Sequence, residues 1–217
     1  MNVFVSGGTG YIGRATIALL LRRGHQVRAL TRPSSLHRVP EGAIPVVGNA
    51  LDSATFADAM TETTTLLHLV GTPHPGPFKA AEFQRVDFAS ICSSVESASR
   101  IPIAHLVYVS VAQPAPLMRA YVAARAKGEA AIVAARLTAT MLRPWYVLGP
   151  DHRWPVVLKP LYWLAESLPS TRTTAQRMGL VTLQQMTVAL VQAVEHPPIT
   201  ATVRIVDVPG IRAASLS

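Results

Sequence analysis

Residues 1–13 read MNVFVSGGTGYIG, an apolar stretch that runs directly into a turn rich in glycine. The apolar residues 1–6 predict a buried strand. The apolar side chains of residues 11–23 recur at helical spacing, which predicts a helix, and Gly24 is well placed to end it. Four glycines within residues 7–13 cost backbone entropy that a simple turn does not need. The glycines therefore point to a turn whose backbone must be approached closely.

The spacing of three of these glycines is the strongest functional signal in the chain. Gly8, Gly10 and Gly13 fit the pattern G-x-G-x-x-G, with a predicted strand before it and a predicted helix after it. Such a turn bends sharply, lets phosphate oxygens approach its N–H groups and aims a helix N-terminus at the anion. The pattern therefore predicts a dinucleotide site. The alternative is a tight turn that serves only close packing of helix on strand.

Strands and helices alternate along most of the remaining chain. Further strands are predicted at residues 26–31, 44–48, 66–70, 104–110, 139–142 and 203–208, and further helices around Phe56 and Met60 and at 79–99, 119–136, 154–168 and 182–195. This order predicts an α/β fold, a doubly wound parallel Rossmann sheet with helices on both faces. We expect a single domain, with residues 1–150 as the dinucleotide-binding core and residues 151–217 as a small flanking lid or interaction segment.

The charge of the chain is strongly basic, with a formal net charge of +8 over 217 residues. The first forty residues contain six arginines but no aspartate, glutamate or lysine. A basic surface attracts polyanions in general. However, the chain has neither a lysine- and arginine-rich run nor the aromatic-interleaved strand of an RNA-binding module, which disfavours nucleic acid. A phosphate-rich small molecule explains the bias more economically. The seven histidines are scattered and predict no metal site.

Cysteine content and hydropathy bear on the compartment. The single cysteine, Cys92, has no partner for an internal disulfide, which fits a reducing cytosol. We expect a cytoplasmic protein, since residues 1–6 form a strand rather than a charged leader and no uninterrupted apolar run approaches ~18 residues. The apolar, tryptophan-containing residues 154–168 have three interpretations. They could cover the substrate pocket, lie on a membrane surface or contact a protein partner.

Several motifs together resemble one superfamily. They are Ser6-Gly7-x-x-Gly10-x-x-Gly13, Gly48-Asn49-x-x-Asp52, the Val-Tyr-Val-Ser strand ending at Ser110, Tyr121 at the start of a helix, and Arg143-Pro144 followed by Gly149-Pro150. In these motifs the chain resembles the atypical or extended branch of the short-chain dehydrogenase/reductase superfamily. It looks most like NmrA-like proteins, sugar-nucleotide-epimerase-like proteins and the Rossmann-type accessory subunit of respiratory complex I. The resemblance covers about residues 1–150 well.

The end of the second strand bears on the choice of cofactor. An NAD site usually places an acidic residue there to bind the ribose hydroxyls. Here Thr31 and Arg32 occupy the place, and the first acidic residue of the chain is Glu41. A guanidinium binds a 2′-phosphate that a carboxylate would repel. We therefore expect NADP(H) in preference to NAD(H), with Arg32 as the phosphate ligand and Arg38 or Arg14 assisting. The alternative is that these arginines are merely exposed on a basic surface.

The glycine motif and the resemblance together imply a set of cofactor-binding residues. Asn49 stands where relatives often have an aspartate that touches the adenine, and residues 70–72 correspond to the cofactor-lining turn after the fourth strand. The full set is Gly7, Gly8, Thr9, Gly10, Tyr11, Ile12, Gly13, Thr31, Arg32, Arg38, Asn49, Ala50, Val70, Gly71, Thr72, Ser110, Pro144 and Val147.

The catalytic pattern that the resemblance implies is only partly present. Active members use a tyrosine as general acid and base, a lysine four residues later and a serine at the end of the fifth strand. Tyr121 and Ser110 match two of these roles, whereas Arg125 stands in place of the lysine. Arg125 shares a helix face with Tyr121, whereas Lys127 does not. The positive charge of Arg125 favours a tyrosinate, although its fork is bulkier than an ammonium. The alternatives are an ordinary amphipathic-helix tyrosine and an ordinary strand-end hydroxyl.

Two functions fit these residues. The first is an NADP(H)-dependent oxidoreductase or epimerase-like enzyme for a small carbonyl substrate, with Tyr121, Ser110 and Arg125 as catalytic residues. The second is a non-catalytic NADP(H)-binding protein with a sensory, regulatory or assembly role, which the arginine at position 125 favours. The sequence does not identify the substrate.

Overall fold

A parallel sheet organises the chain in the computed structural model, which describes residues 1–115, 118–149, 179–199 and 202–216. The strands are β1 Asn2–Ser6, β2 Gln26–Thr31, β3 Ile44–Val47, β4 Thr65–His68, β5 His105–Val109, β6 Ala139–Leu142, β7 Tyr146–Leu148, β8 Leu180–Thr182 and β9 Val203–Val206. Seven of them form one sheet in the order β3-β2-β1-β4-β5-β6-β9. Every pairing in it is parallel, so the predicted doubly wound Rossmann fold is confirmed.

Helices cover both faces of this sheet. They are α1 Tyr11–Arg22, α2 Ala80–Glu82, α3 Ala89–Arg100, α4 Arg119–Ala134, α5 Leu183–Glu195 and α6 Val208–Ala213. The π-helical turn Phe83–Phe88 joins α2 to α3, and three 3-10 turns lie at Pro33–Arg38, Ser53–Thr55 and Asp58–Met60. Because α1 follows β1 immediately, its N-terminus lies at the carboxyl end of a central strand, where parallel α/β sheets bind ligands.

The alternation of side chains along the strands divides the core into two apolar layers. Val3 and Val5 of β1 pack with α1, α5 and α6, whereas Phe4 faces the opposite layer, which contains residues of α3 and α4. Successive side chains of a strand point to opposite faces of a sheet, and in a parallel sheet both faces are buried. The continuous apolar run of β1 is therefore explained by helices on both sides.

Local sequence signals placed several elements at their observed bounds. The strands predicted at 26–31 and 139–142 coincide with β2 and β6. Gly24 follows the end of α1 with a φ of +79°. Thr182 caps α5, since its hydroxyl accepts from the N–H of Gln185, whose side chain accepts from the N–H of Thr182.

Other bounds were predicted wrongly. The strand predicted at 66–70 is residues 65–68, because the chain turns away towards Asp87 after His68. The helix predicted at 79–99 is interrupted by the π-helical turn. The short helix around Phe56 and Met60 is a pair of 3-10 turns. The final strand ends at residue 206, since Asp207 caps α6 through the N–H of Gly210. The helix predicted at 154–168 lies outside the described residues.

Candidate cofactor and active site

The glycine-rich turn between β1 and α1 is packed so tightly that a side chain at Gly7 or Gly13 would meet backbone atoms, and one at Gly8 would require Ile17 to shift. A Cβ at Gly8 would lie 2.7 Å from Cδ1 of Ile17. A Cβ at Gly13 would overlap the carbonyl oxygen of Gly7 and lie 2.7 Å from Cα of Gly8. Gly7 itself has a φ of +80°, a conformation that favours glycine. These three residues therefore serve the tight turn and the close approach of α1 to β1.

Gly10 differs from its neighbours because the described residues leave the space above it open. Its nearest neighbour for a Cβ would be the carbonyl oxygen of Gly7 at 3.4 Å. Gly10 is also the N-cap of α1, and no side chain caps this helix. The first N–H groups of an α-helix have no intrahelical acceptor. The first turn of α1 contains no acidic residue, so free donors and an open approach meet at one place that suits a pyrophosphate.

The end of β2 presents cationic side chains beside this turn. Thr31 is buried, and Arg32 is exposed as the N-cap of the 3-10 turn Pro33–Arg38. Arg14, in the first turn of α1, and Arg38 are also exposed. Among the residues that the structure describes, none of the ion pairs involves Arg14, Arg32 or Arg38.

Asn49 lies in a turn just beyond the end of β3. Its side-chain Oδ1 accepts from the N–H of Leu51 at 3.1 Å, and its own N–H donates to Oγ1 of Thr55 at 2.9 Å. Asn49 is exposed and Ala50 is half-buried. The Asn49 amide is therefore held by its oxygen.

The turn after β4 lies directly against the glycine-rich turn. A Cβ at Gly7 would lie 2.7 Å from the carbonyl carbon of Leu69. The next residues, Val70, Gly71 and Thr72, bend away from the sheet, and the N–H of Thr72 donates to Oδ2 of Asp87 at 3.1 Å. The two predicted cofactor-lining segments are thus adjacent in the structure.

Arg125 links the carboxyl end of β5, where Ser110 follows Val109, to the ring of Tyr121 on α4. The Ser110 side chain is buried, and its Oγ has no hydrogen-bond partner among the described residues. Nη1 of Arg125 donates to the carbonyl oxygen of Val109, the residue before Ser110, at 3.0 Å. The half-buried ring of Tyr121 lies 5.3 Å from Cζ of Arg125. Burying a hydroxyl without a hydrogen-bond partner costs free energy, so a ligand group that forms a hydrogen bond with Ser110 Oγ would be stabilised there.

Arg125 lies beneath the surface of this cleft. Its side chain is 5% exposed and forms an ion pair with Asp87, with 2.7 Å between Nη2 and Oδ1. Burial opposes its charge, but the nearby Tyr121, Tyr108 and Asp87 outweigh burial and hold the pKa of Arg125 above its ordinary value. Arg125 is therefore a permanent cation, and it donates to backbone as well as to Asp87.

Three tyrosines from distant parts of the chain, Tyr11, Tyr121 and Tyr146, lie near one another. The hydroxyl of Tyr11 in the glycine-rich motif donates to the carbonyl oxygen of Val147 in β7 at 3.3 Å. Burial, followed by the proximity of Tyr146 and Tyr121, raises the pKa of Tyr11 to about 12. Buried Pro144 precedes β7 and accepts from the N–H of Ala112 at 3.0 Å. The sequence did not predict this cluster, because β7 and its pairing with β8 carry no local signal.

A cavity of about 510 Å³ opens between the loop after β5 and the first turns of α4. Arg119 and Arg143 contribute to its wall. Arg143 is held by Glu129, to which its Nε donates at 2.9 Å and its Nη2 at 2.5 Å. Gln113, in the loop after β5, also lines the cavity. Neither Ser110 nor Tyr121 is among the described residues that line this cavity.

The described parts of the chain lack two further features, a metal-ligand cluster and a membrane-spanning helix. No group of three histidine, cysteine, aspartate or glutamate side chains there is placed to hold a metal ion. No helix among the same residues is both long and apolar enough to cross a membrane.

Comparison with known proteins places these features in context. A family model described as NAD(P)H-binding matches residues 7–161. A divinyl chlorophyllide a 8-vinyl-reductase of Oryza sativa subsp. indica is 33% identical over 160 residues, which cover 66% of this chain and 39% of that protein. A 4-hydroxy-2-methyl-3-oxo-4-farnesyl-3,4-dihydroquinoline-1-oxide ketoreductase of Stigmatella aurantiaca is 27% identical over 70% of this chain and 52% of its own length. The chain thus spans about half or less of these relatives.

Solved structures share the fold at low identity. A UDP-galactose 4-epimerase superposes with a TM-score of 0.72 at 18% identity, covering 95% of this chain and 78% of that one. A short-chain dehydrogenase/reductase superfamily protein of Agrobacterium tumefaciens with bound NAD gives a TM-score of 0.69 at 17% identity, covering 95% and 77%. These structures therefore share the Rossmann architecture described above.

Proposed function

The chain belongs to the NAD(P)H-binding family within the short-chain dehydrogenase/reductase superfamily, and from this premise we propose that it is an NADP(H)-dependent reductase of a small carbonyl compound. Two relatives are named as reductases, one of them a ketoreductase. The proposal rests on the hydroxyl of Ser110, which is buried at the carboxyl end of β5 and has no hydrogen-bond partner among the described residues. A carbonyl oxygen bound there would satisfy it.

The preference for NADP(H) rests on charge at the end of β2. Arg32, Arg38 and Arg14 would bind the 2′-phosphate with charge-assisted hydrogen bonds. No carboxylate precedes Glu41 in the chain to compete with that phosphate or to bind a 2′-hydroxyl in its place. The donors at the start of α1, together with residues 70–72 and the Nδ2 of Asn49, would hold the remainder of the cofactor.

The proposed reaction adds a hydride and a proton across a carbonyl bond to give an alcohol. Bound NADPH supplies the hydride. Ser110 donates a hydrogen bond to the carbonyl oxygen and orients it, and Tyr121 donates its phenolic proton to that oxygen as negative charge develops there. The buried guanidinium of Arg125 lies beside this tyrosine, with its Cζ 5.3 Å from the centre of the Tyr121 ring.

The proposal is tested by NADPH oxidation with a panel of aldehydes, ketones and quinones. We expect Tyr121→Phe to lower kcat/KM by at least ~100-fold, the usual contribution of a general acid, without changing the affinity for NADPH. Ser110→Ala is expected to lower kcat as well, whereas Ser99→Ala on the exposed face of α3 serves as a matched control. Full activity of Tyr121→Phe would contradict the mechanism.

A second candidate, a non-catalytic NADP(H)-binding protein, is favoured by one observation. Arg125 is buried and ion-paired with Asp87 rather than free to face a substrate. This candidate predicts saturable binding of NADPH and no turnover with any compound of the panel. Turnover that depends on Tyr121 would exclude it.

A further inference from the structure

The ion pair of Asp87 and Arg125 links the π-helical turn to α4 in the protein interior. Oδ1 of Asp87 lies 2.7 Å from Nη2 of Arg125, and the two side chains are 0% and 5% exposed. Removing two charges from water is expensive, and the pair is favourable only if further hydrogen bonds satisfy its remaining atoms. The partners of those remaining atoms therefore indicate the task of the pair.

The remaining partners lie at the ends of β4 and β5. Nη1 of Arg125 donates to the carbonyl oxygens of Val70 at 3.2 Å and Val109 at 3.0 Å. Oδ2 of Asp87 accepts from the N–H of Thr72 at 3.1 Å and from its hydroxyl at 2.5 Å. The pair thus fixes the turn after β4 at two of its three residues and also holds the residue before Ser110.

The middle residue of that turn is constrained by the same guanidinium. A Cβ at Gly71 would overlap Nη2 of Arg125 and lie 3.3 Å from Oδ1 of Asp87. The backbone of the turn therefore lies directly against the ion pair, and a side chain at position 71 would require the guanidinium of Arg125 to shift. The backbone just before residues 70–72, at Leu69, lies against Gly7 of the glycine-rich turn.

We propose that Asp87 and Arg125 are positioning residues, which together shape residues 70–72 and the end of β5 into the wall that receives the cofactor and aligns Ser110. The inference rests on the proposed function, because it gives the pair a task in the same cleft. Arg125 accordingly acts through the backbone, and its effect on cofactor and substrate is indirect.

Arginine and lysine at position 125 distinguish this task from direct catalysis. Arg125→Lys would recreate the Tyr-x-x-x-Lys pattern of the superfamily, so a direct role for the cation predicts unchanged or higher activity. A lysine places its three donors on one atom, whereas the guanidinium uses two separate nitrogens for the carboxylate and for the two carbonyls. Positioning therefore predicts that Arg125→Lys is impaired.

The experiment measures NADPH affinity by fluorescence, and kcat, KM and their pH profiles, for full-length variants. We expect Arg125→Lys and Asp87→Asn each to weaken NADPH binding at least ~10-fold. The double variant should be no worse than the weaker single variant, because both residues belong to one network. Arg136→Lys, on an exposed residue just beyond α4, is the matched control. Thr72→Val removes only the hydrogen bond from the Thr72 hydroxyl to Asp87, so it tests the contact of the turn with the ion pair at a small cost in stability. We expect ~3-fold weaker NADPH binding.

The outcomes separate this inference from the proposed function. Weakened NADPH binding by folded Arg125→Lys or Thr72→Val supports positioning even if wild type turns over no substrate, a result that would contradict only the reductase. If Arg125→Lys binds NADPH with wild-type affinity, positioning is overturned. If Arg125→Lys does not fold, wild-type affinity in Thr72→Val overturns it instead. A lower melting temperature with unchanged affinity, KM and pH profile would assign the pair to stability alone and overturns it equally.

Discussion

Gly10 separates the demands of folding from the demands of cofactor binding. Its φ of −74° and ψ of 170° are extended backbone, open to any residue, and a Cβ would approach only the carbonyl oxygen of Gly7, at 3.4 Å. Alanine is a poorer N-cap than glycine by up to ~1 kcal/mol, while the reduced freedom of the unfolded chain returns ~0.4–1 kcal/mol. We therefore expect the free energy of unfolding of Gly10→Ala to stay within ~1 kcal/mol of wild type.

Binding should respond very differently to the same methyl group. It would occupy the open space above the N-terminus of α1, where the pyrophosphate is expected. Losing one or two charge-assisted hydrogen bonds, at ~1.5–3 kcal/mol each, corresponds to at least ~10-fold weaker NADPH binding. In Gly13→Ala the added Cβ overlaps the carbonyl oxygen of Gly7, so we expect the fold itself to lose ~1–3 kcal/mol.

Urea unfolding of the free protein and fluorescence titration with NADPH measure the two quantities separately. The expected pattern is a stable Gly10→Ala that binds poorly and a Gly13→Ala that is destabilised before any ligand is added. Wild-type affinity in Gly10→Ala would refute the reasoning, because the cofactor would then not approach this backbone.

Three further predictions concern cofactor choice, helix capping and acid stability. Arg32→Ala should weaken NADPH binding ~10–100-fold with little change for NADH, whereas Arg22→Ala at the far end of α1 should change neither; equal losses for both nucleotides would contradict the assignment. Thr182→Ala should lower the free energy of unfolding by ~1 kcal/mol in thermal denaturation, since it removes the cap of α5; an unchanged melting temperature would contradict this. Burial, with Arg125 nearby, lowers the pKa of His68 to about 3, and burial, with Arg204 nearby, lowers that of His105 to about 4. Both histidines stay neutral in the folded protein, whereas in the unfolded chain they take up protons below a pKa of ~6.5. The free energy of unfolding is therefore highest above that pH, and it falls by ~1.4 kcal/mol per pH unit for each histidine on acidification towards pH 4. Urea denaturation from pH 7 to pH 4 measures this slope, and His105→Gln should reduce it.

The glycine-rich turn was predictable because its requirements are local. The spacing of Gly8, Gly10 and Gly13 between an apolar strand and an apolar helix predicts both the tight turn and a dinucleotide site. The capping box at Thr182 and the strand 139–142 are likewise determined by residues within a few positions. Such signals do not depend on how the rest of the chain folds.

The surroundings of Arg125 were not predictable, because they depend on distant residues. Its partners Val70, Asp87 and Val109 are brought together only by the sheet and by the π-helical turn. The helical repeat placed Arg125 on the face of Tyr121 but did not indicate that its side chain would be buried. The same holds for β7 and β8, three-residue strands that pair across more than thirty positions, and for the tyrosine cluster beside them.

A titration of the wild-type protein with NADPH and with NADH, followed by nucleotide fluorescence, tests the central claim most directly. We predict saturable binding of NADPH, at least ~10-fold tighter than that of NADH, because the proposal assigns the 2′-phosphate to the arginines at the end of β2. The absence of saturable binding by either nucleotide would contradict the cofactor site itself. Equal affinity for both would contradict the role given to Arg32.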